Sequence, residues 1–452
     1  MLFERIESRG LAHYSYLIGD GTDALVIDPR RDAGDYIERA SRAGMRITRV
    51  LETHRNEDYV VGSLELAVAT GATVLHSGEG DLEYGYGEPI HDGDIVSVGR
   101  LKLKALHTPG HTLGHVSYLL HDPGGQPWIL FSGDALFAGD VGRTDFYGPD
   151  RLDEMTGLLH DTLFQKVIPL GDEVIVCPAH GAGSVCGSRI SERTWTTIGL
   201  ERKHNPKLRY TDRAAFVAGV GRMMEYPPYF RKMEALNLEG PPMIGSLPSV
   251  LPLAPDEFAR QAAAAQVVDT RTELGFGAGH VPAAVSIWEL GLSSFAGWFL
   301  TYDRPILLVS ETDDVKGPAR LLMRMGFDNV AGFLAGGMRA WHKAGLDSES
   351  IEMITVQDLC RRLDRGEEPW ILDVRSAEEV KDSEIPSAHH IHLTQLRERM
   401  DNVVPDHRIY IFCGSGRRSM TAASLLQGAG HDALTVVLGG LAGWSSVSCP
   451  LK

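Results

Sequence analysis

Short apolar runs separated by glycine and proline dominate the first half of the chain. The runs 14–18 and 24–27 flank a Gly19-Asp20-Gly21 turn and predict a β-hairpin. Residues 46–52 alternate β-branched and apolar positions and predict a strand, whereas residues 60–70 have helical spacing that ends at Gly71. Further strands are predicted over residues 72–76, 95–106, 115–121 and 128–131. This mixture of strands and helices favours sheets that are covered by helices.

The second half of the chain repeats itself at an offset of 103 to 104 residues. Residue pairs with this separation include Asp269 with Asp373, Pro282 with Pro386, and Trp341 with Trp444. Each copy contains a short apolar strand, 306–309 in the first and 409–412 in the second, followed by a loop and a helix. The repeat therefore predicts two copies of one parallel α/β domain.

Length and linker signals divide the chain into three predicted domains. A chain of 452 residues suits about three domains of roughly 150 residues each. The proline- and glycine-rich segment from Gly240 to Ser249 reads as a linker. With the repeat, it predicts domains at 1–245, 246–350 and 351–452.

Composition narrows the classes of partner and compartment. The formal net charge is −16, and no run of Lys or Arg is long enough to follow a phosphate backbone, so nucleic acid is not an expected partner. The first ten residues carry charges where a signal peptide needs an apolar core, and no stretch approaches 18 uninterrupted apolar residues. We therefore expect a cytoplasmic protein that does not bind membranes. The five cysteines include no C-x-x-C pair, so each is judged by its own setting.

The loop Thr53-His54-Arg55-Asn56-Glu57-Asp58-Tyr59 follows the predicted strand 46–52. It resembles the T-H-x-H-x-D-H signature of the metallo-β-lactamase superfamily. His54 and Asp58 match that signature, while Asn56 and Tyr59 stand where two further histidines belong. Neither an amide nor a phenol replaces a neutral imidazole well, so we expect a second metal ion to be poorly held.

Three later motifs also match the superfamily: T-P-G-H-T at 108–112, F-S-G-D at 131–134 and P-A-H-G at 178–181. The resemblance implies that His111 and Asp134 are metal ligands together with His54. Asp58 and His180 are expected to support this set or to face the substrate, without binding the metal themselves. Two imidazoles and one carboxylate have the composition of the facial triad that holds non-haem Fe(II), and the prediction is one Fe(II) per chain.

The segment 139–146 (GDVGRTDF) is typical of the persulfide dioxygenase branch of the superfamily. Two roles are open for Arg143 within it. Its forked donors could orient a substrate carboxylate or thiolate, or the side chain could form a buried ion pair with Asp145.

The loop after the strand 409–412 resembles the rhodanese motif C-x-x-G-x-R-S, with Cys413 as the sulfur-carrying nucleophile. Its glycines would let backbone N–H groups surround the cysteine at a helix N-terminus, an arrangement that favours thiolate. The residues expected to bind the sulfur anion are Gly414, Ser415, Gly416, Arg417, Arg418 and Ser419.

The first repeat copy has lost this chemistry. Ser310 aligns with Cys413, and the loop behind it carries Glu311, Asp313 and Asp314 in place of glycines. A hydroxyl cannot carry a persulfide, and carboxylates would repel anionic substrates, so this copy is predicted to be degenerate. In the first domain, Cys186 follows His180 by six residues, and contact with a persulfide is an open question for it.

The whole chain thus resembles a persulfide dioxygenase fused to two rhodanese domains. The implied fold is multidomain, α/β and α+β: a metallo-β-lactamase αββα sandwich followed by two α/β rhodanese-like domains. The implied reaction oxidises a small thiol persulfide with O₂ to sulfite and thiol, and Cys413 then links sulfite, thiosulfate and persulfide. The family also suggests a homo-oligomer. The alternatives are a thioester hydrolase resembling glyoxalase II, and a sulfur-carrier protein without dioxygenase activity.

Overall fold

The computed structural model describes residues 1–80, 82–187, 189–245, 249–385, 387–403 and 407–445. The chain divides into two compact units, Met1–Leu247 with Met323–Gly326, and Pro248–Leu322 with Phe327–Lys452. Part of the predicted linker, residues 246–248, and the repeat position Pro386 lie outside the described residues. Within the described chain, no helix is long and apolar enough to cross a membrane.

The described part of the first unit contains two six-stranded sheets. The first sheet has the strand order β1-β2-β3-β4-β5-β6. Its strands are β1 Leu2–Ser8, β2 His13–Asp20, β3 Asp23–Ile27, β4 Arg46–Leu51, β5 Thr73–Ser77 and β6 Glu88–Ile90. The second sheet has the order β12-β11-β10-β9-β8-β7. Its strands are β7 Ile95–Val98, β8 Leu101–His107, β9 Val116–His121, β10 Pro127–Gly133, β11 Ile175–Pro178 and β12 Thr196–Thr197.

Helices cover the outer faces of both sheets. The α-helices of this unit are α1 Gly34–Arg42, α2 Ser63–Thr70, α3 Leu152–Asp161, α4 Ile198–His204, α5 Arg213–Val220 and α6 Phe230–Glu239. Alternate residues of the two sheets, such as Ile18 and Leu120, form one core between them. A second core joins the first sheet to α1 and includes Tyr36, and a third joins the second sheet to α3 and α5 and includes Phe216. The layers are therefore helix, sheet, sheet, helix, as the resemblance implies.

Local differences from the predicted elements have simple causes. The predicted strand 95–106 is a hairpin, β7 and β8, because the chain turns at Gly99, where φ is +56°. The predicted helix 60–70 begins later, at Ser63, since Val61 instead forms a β-bridge with Arg30. Its end is as predicted, with Gly71 in the left-handed conformation. The hairpin β2–β3 is antiparallel in the predicted place.

The second unit contains two parallel five-stranded sheets within its described residues. Their strand orders are β13-β17-β16-β14-β15 and β18-β22-β21-β19-β20, which are the same topology written twice. The strands are β13 Leu251–Leu253, β14 Gln266–Asp269, β15 Val285–Ser286, β16 Ile306–Val309, β17 Val330–Leu334, β18 Glu352–Thr355, β19 Trp370–Asp373, β20 His389–His390, β21 Ile409–Phe412 and β22 Leu434–Leu438. The repeat therefore reflects two copies of one α/β domain, in agreement with the sequence offset.

The helices of the second unit follow the same repeat. They are α7 Pro255–Ala262, α8 Glu273–Ala278, α9 Leu292–Phe299, α10 Lys316–Arg324, α11 Gly337–Lys343, α12 Val356–Asp364, α13 Ala377–Asp382, α14 Arg417–Gly428 and α15 Gly440–Trp444. A buried Asp-Arg pair also recurs: Arg271 binds Asp269 in the first copy, and Arg375 binds Asp373 in the second. Each pair lies at the C-terminal end of a strand, β14 in the first copy and β19 in the second.

Candidate metal centre and cysteine loop

His54, His111 and Asp134 come together between the two sheets of the first unit. His54 follows β4, His111 follows β8 and Asp134 follows β10, so three strand ends supply the side chains. Oδ2 of Asp134 lies 3.8 Å from Nε2 of His54 and 3.5 Å from Nε2 of His111. All three side chains are buried, and their donor atoms form one group that could hold a metal ion.

A threonine and an aspartate hold the His54 ring. The hydroxyl of Thr53 donates to Asp28 Oδ2 at 2.7 Å, and Thr53 Oγ1 lies 2.9 Å from Nδ1 of His54. Because the only hydroxyl proton of Thr53 is directed at Asp28, the Nδ1–H of His54 is the donor to Thr53. The lone pair of His54 is therefore on Nε2, which faces Asp134.

A backbone carbonyl holds the His111 ring in the same way. Nδ1 of His111 donates to the carbonyl oxygen of Arg143 at 2.8 Å, which leaves the lone pair on Nε2. The close approach of the Arg143 carbonyl to the His111 ring requires a glycine at position 142. A Cβ at Gly142 would lie 1.9 Å from the carbonyl oxygen of Asp134 and 3.1 Å from Nδ1 of His111. The glycine of the 139–146 motif thus lets two ligand-bearing loops meet.

The protonation states suit a metal-binding site. Burial lowers the pKa of His54 and of His111, which favours the neutral imidazole that binds metals. Burial alone would raise the pKa of Asp134, but His180, then His54 and His111, lower it well below its ordinary value. Two neutral imidazoles and one carboxylate therefore face a common space.

The two imidazole nitrogens that face this space have no hydrogen-bond partner among the described residues. Nε2 of His54 and Nε2 of His111 are buried without a hydrogen-bond partner in the described chain. A buried polar atom without a partner costs about 1–3 kcal/mol, so two such atoms turned toward one carboxylate call for a ligand. A divalent metal ion is the ligand that accepts both lone pairs and offsets the carboxylate charge.

His180 and Asp58 lie beside this group. Nδ1 of His180 lies 2.8 Å from Asp134 Oδ1, and Nε2 lies 2.9 Å from Asp58 Oδ2. Burial lowers the pKa of His180, yet the carboxylates of Asp134 and Asp58 outweigh this and raise it well above its ordinary value. Both ring nitrogens therefore act as donors, and His180 orients Asp134 from behind.

A second group of donor atoms, which the sequence did not predict, consists of Asp58, His180 and Cys186. Cys186 is buried, and this burial, followed by Asp58 and Asp134, raises the pKa of its thiol well above its ordinary value. Because both nitrogens of His180 already donate to carboxylates, this group has no free imidazole lone pair in the arrangement seen. It differs in this respect from the group around His54 and His111.

Asn56 and Tyr59 occupy the positions of the two missing histidines. Asn56 donates to the His54 carbonyl oxygen at 3.3 Å, and the Tyr59 ring lies against His13, with ring centroids 4.1 Å apart. Both side chains are buried. They fill the space beside the group with an amide and a phenol ring.

The structure favours the second of the two roles left open for Arg143. Nε and Nη2 of its guanidinium donate to Asp145 Oδ1 and Oδ2 at 2.7 and 2.9 Å. Nη1 and Nη2 also reach the carbonyl oxygen of Glu225 at 3.2 Å. These donors are committed to the protein, so Arg143 is not available in this arrangement to bind substrate. Its contribution to the centre is the carbonyl oxygen that holds His111.

Three supporting residues were not found from the sequence. Asp28 holds Thr53, and Nε2 of His115 accepts the backbone N–H of Asp134 at 3.0 Å. Asn237 of α6 donates to the carbonyl oxygens of Asn56 and Tyr59, both at 2.7 Å, and so fixes the loop that carries the motif. None of them belongs to a motif, and Asn237 lies more than 170 residues along the chain from the loop.

Cys413 lies at the end of β21, directly before the first turn of α14. It is buried, and the backbone N–H of Gly416 donates to its sulfur at 3.1 Å. Gly416 has φ of +114°, a conformation that favours glycine, and it caps α14. A Cβ at Gly440 would lie 2.2 Å from the carbonyl oxygen of Cys413, so this close packing needs a glycine at position 440.

The remaining residues of the loop differ in how they are used. Gly414 and Ser415 continue the turn, and their carbonyl oxygens accept the N–H groups of Ala442 and Gly439. Ser419 is buried in α14, and its hydroxyl has no partner among the described residues. Gly416 thus contacts the cysteine sulfur directly, while Gly414 and Ser415 belong to the same loop and Ser419 to the first turn of α14.

The two arginines of the loop are paired with acids. Arg418 donates to both carboxylate oxygens of Glu379 at 2.6 and 2.7 Å, and it lies 3.2 Å from where a Cβ of Gly414 would be. Arg417 is about half exposed, and its Nε lies 3.9 Å from Glu273 of the first copy. Glu379 was not foreseen, and it shares the charge that Arg418 would offer to an anion.

The loop of the first copy uses its acids for local hydrogen bonds. Asp313 accepts the backbone N–H of Gly336 at 2.8 Å, whereas the matching Gly439 N–H in the second copy goes to the carbonyl oxygen of Ser415 at 3.0 Å. A Cβ at Gly337 would lie 3.4 Å from the carbonyl oxygen of Ser310, a looser contact than at Gly440. The acids therefore maintain a different loop and do not surround a nucleophile.

Two known families match three separate parts of the chain. Residues 8–180 match the metallo-beta-lactamase superfamily, and residues 254–344 and 355–447 each match the rhodanese-like domain.

Individual relatives match different shares of the chain. Hydroxyacylglutathione hydrolase GloC of Haemophilus influenzae is 29% identical over 214 residues, which are 43% of this chain and 91% of that protein. The mitochondrial persulfide dioxygenase ETHE1 of Bos taurus is 30% identical over 203 residues, 43% of this chain and 71% of that protein. A metallo-beta-lactamase structure from Staphylococcus aureus subsp. aureus COL superposes with a TM-score of 0.67 at 29% identity, covering 74% of this chain and 99% of that chain.

The fold, the ligand-bearing strand ends and the matched families agree with one another. Relatives with two different names, a hydroxyacylglutathione hydrolase and a persulfide dioxygenase, are about equally similar to this chain. The chain belongs to the metallo-β-lactamase superfamily, and two rhodanese-like domains follow its metallo-β-lactamase domain.

Proposed function

We propose that this protein is an iron-dependent persulfide dioxygenase whose product is passed to a rhodanese reaction at Cys413. The observation that carries the proposal is the set of His54, His111 and Asp134 together with the loss of two imidazoles at Asn56 and Tyr59. Two imidazoles and one carboxylate leave coordination positions open for a substrate and O₂. Fe(II) held there would supply the redox chemistry that combines the terminal sulfur with oxygen.

The overall reaction balances with water as the only reactant besides the persulfide and O₂. A thiol persulfide RSSH, O₂ and H₂O give the thiol RSH and sulfurous acid, which ionises to sulfite. The S–S bond breaks, the terminal sulfur loses four electrons, and O₂ gains them. The carrier thiol is released with one proton on its sulfur.

The residues of this chain have defined parts in such a reaction. Thr53 and the carbonyl of Arg143 fix the two histidine rings, so that each Nε2 is directed to the same space. His180 holds Asp134 by both of its carboxylate oxygens, at 2.8 and 3.0 Å. Burial of the whole set keeps bulk water from the reacting sulfur, which protects it from unproductive exchange.

In the second step, the Cys413 thiolate would attack the outer sulfur of a second thiol persulfide, so that the S–S bond of that persulfide breaks, its thiol leaves and Cys413 carries the sulfur as a persulfide. Sulfite attacks the outer sulfur, the S–S bond to Cys413 breaks, and thiosulfate leaves with the cysteine restored as thiolate. The Gly416 N–H, 3.1 Å from the sulfur, and the N-terminus of α14 stabilise negative charge at that position. The reverse direction would load Cys413 from thiosulfate.

The second candidate function is hydrolysis of a hydroxyacyl thioester. It is favoured by the similarity to hydroxyacylglutathione hydrolase GloC and by the second donor group of Asp58, His180 and Cys186. Hydrolysis in this fold commonly uses a hydroxide between two metal ions. Because His180 donates from both nitrogens in the structure, a second metal ion would first have to displace the hydrogen bonds to Asp58 and Asp134.

Metal counting combined with an oxygen electrode separates the candidates. The protein is loaded anaerobically with Fe(II), its metal content is measured, and O₂ consumption is followed with a panel of thiol persulfides. One iron per chain with persulfide-dependent O₂ uptake supports the dioxygenase. Two metal ions per chain with thioester hydrolysis and no O₂ uptake would establish the hydrolase. If the protein shows neither activity, the sulfur-carrier alternative remains.

A further inference from the structure

We propose that Glu57 is an additional protein ligand of the metal ion held by His54, His111 and Asp134. The inference rests on the metal centre of the proposed function, but not on which reaction that centre performs. Glu57 stands at a position that the T-H-x-H-x-D-H signature leaves free, so the motif assigns it no role. Its position in the structure is what points to one.

Glu57 turns one carboxylate oxygen toward the candidate centre. The side chain is completely buried, and Oε2 lies 3.9 Å from Nε2 of His111, the atom that carries the free lone pair. Oε2 has no hydrogen-bond partner among the described residues, just as Nε2 of His111 has none. Two buried atoms that can each donate a lone pair, and that each lack a partner, thus face each other. A cation between them satisfies both.

The other oxygen of Glu57 is held from behind. Nη2 of Arg55 lies 3.2 Å from Glu57 Oε1 and 3.1 Å from Glu234 Oε1. One guanidinium charge is therefore shared by two carboxylates, and it offsets only part of the charge of Glu57. Arg55 also fixes the direction of the Glu57 side chain, since Oε2 is left on the side of His111.

Charge balance favours the same arrangement. A divalent ion with two neutral imidazoles and Asp134 alone carries a net charge of +1 in a buried site. A second carboxylate brings the group to zero, and burying a neutral group costs less than burying a charged one. The competing state is a protonated Glu57, which would be neutral without a metal ion and would not bind one.

The test compares metal affinity in Glu57→Gln and Glu234→Gln. Glutamine keeps the shape of a protonated glutamate but is a poor metal ligand, whereas Glu234→Gln removes the other acid that Arg55 contacts and leaves Glu57 in place. Full-length apoprotein is titrated with Fe(II) under anaerobic conditions, and with Co(II), against a chromophoric chelator. Far-UV circular dichroism of each metal-free variant confirms that it is folded.

We expect Glu57→Gln to weaken Fe(II) and Co(II) binding at least about tenfold and to change the visible absorption of bound Co(II). Glu234→Gln should change the affinity less than about threefold. If Glu57→Gln does not fold, Glu57→Asp replaces it, because its shorter carboxylate should also weaken binding. An affinity in the Glu57 variant no weaker than in Glu234→Gln would overturn the inference.

These outcomes are separate from the fate of the proposed reaction. Wild-type protein that binds Fe(II) more tightly than Glu57→Gln, yet takes up no O₂ with any persulfide, would refute the dioxygenase and keep Glu57 as a ligand. If the wild type takes up O₂ with a persulfide, and wild type and Glu57→Gln bind Fe(II) equally tightly, the dioxygenase stands and Glu57 is not a ligand.

Discussion

His180 contacts Asp134 through Nδ1, 2.8 Å from Oδ1 and 3.0 Å from Oδ2, while neither residue is exposed. A candidate metal ligand is thus held in place by the buried histidine of the P-A-H-G motif. The contact orients the carboxylate toward His54 and His111, and it keeps both nitrogens of His180 occupied when Asp58 is included. The same contact makes several properties of the centre testable.

His180→Ala should weaken Fe(II) binding by about 10- to 100-fold, because Asp134 loses the group that orients it. The measurement is metal content after dialysis against a chelator, together with a competition titration. His91→Ala, at an exposed histidine paired with Glu79, is the matched control and should bind iron like the wild type. Full iron retention in His180→Ala would show that Asp134 needs no such support.

In the metal-free protein, the contribution of Glu52 to stability should fall as the pH rises from about 4.5 to 8. Burial raises the pKa of Glu52 from 4.5 to about 8, although hydrogen bonds from Ser63 and Tyr86 oppose this shift. Between these values the folded state keeps a proton that the unfolded state releases, so the unfolding free energy falls with pH, by at most about 1.4 kcal/mol per pH unit for one group. Glu52→Gln cannot ionise and should flatten the slope.

The first unit's thermal transition, followed by calorimetry on apoprotein at several pH values, checks this expectation. Glu88→Gln, at an exposed position of β6, should keep the wild-type slope. A pH slope that is the same in Glu52→Gln as in the wild type would contradict the assigned protonation of Glu52.

His111→Ala should abolish persulfide-dependent O₂ uptake and leave thiosulfate:cyanide sulfurtransfer within about twofold of wild type. His111 supplies one of the two imidazoles of the centre, and Cys413 belongs to a different compact unit. An oxygen electrode and a thiocyanate assay on the same preparation measure both reactions. Loss of both activities in a folded, monodisperse variant would disprove their separation.

Cys413→Ser should remove sulfurtransferase activity, and adding Ser310→Cys should not restore it. A cysteine at 310 would lie in a loop where Asp313 holds the Gly336 N–H and where Glu311 and Asp314 add negative charge. Nearby carboxylates disfavour both a thiolate and an approaching anionic persulfide.

Sulfur loading of the double variant is measured by mass spectrometry after incubation with thiosulfate. We expect no added sulfur at position 310. Sulfurtransfer recovered in Cys413→Ser/Ser310→Cys would mean that the first copy keeps a working anion site, and that its description as degenerate is wrong.

The sequence was sufficient for those parts of the protein that are encoded locally. The hairpin β2–β3, the glycine that ends α2 and the repeated α/β topology follow from patterns within short segments. The ligand group His54, His111 and Asp134 came from motifs, and the structure brings these residues together.

Contacts made over long sequence separations were not predicted. Asn237 reaches the loop of Tyr59 across 178 residues, and Glu379 reaches Arg418 across 39, without any pattern that links their positions. The group of Asp58, His180 and Cys186 depends on a turn after β11 whose path no local signal defines. The use of Arg143 could be decided only when the positions of Asp145 and Glu225 were known.

The two hydrogen bonds from Asn237 to the carbonyls of Asn56 and Tyr59 bear on how the first unit can be produced in isolation. The superfamily match ends at residue 180, but α6, which carries Asn237, runs from Phe230 to Glu239. An expression fragment cut at the end of the match would leave those carbonyls without their amide and the motif loop without its anchor. A recombinant fragment meant to bind metal should therefore include all of α6, and Asn237→Ala in the full-length protein would reveal what a shorter fragment lacks.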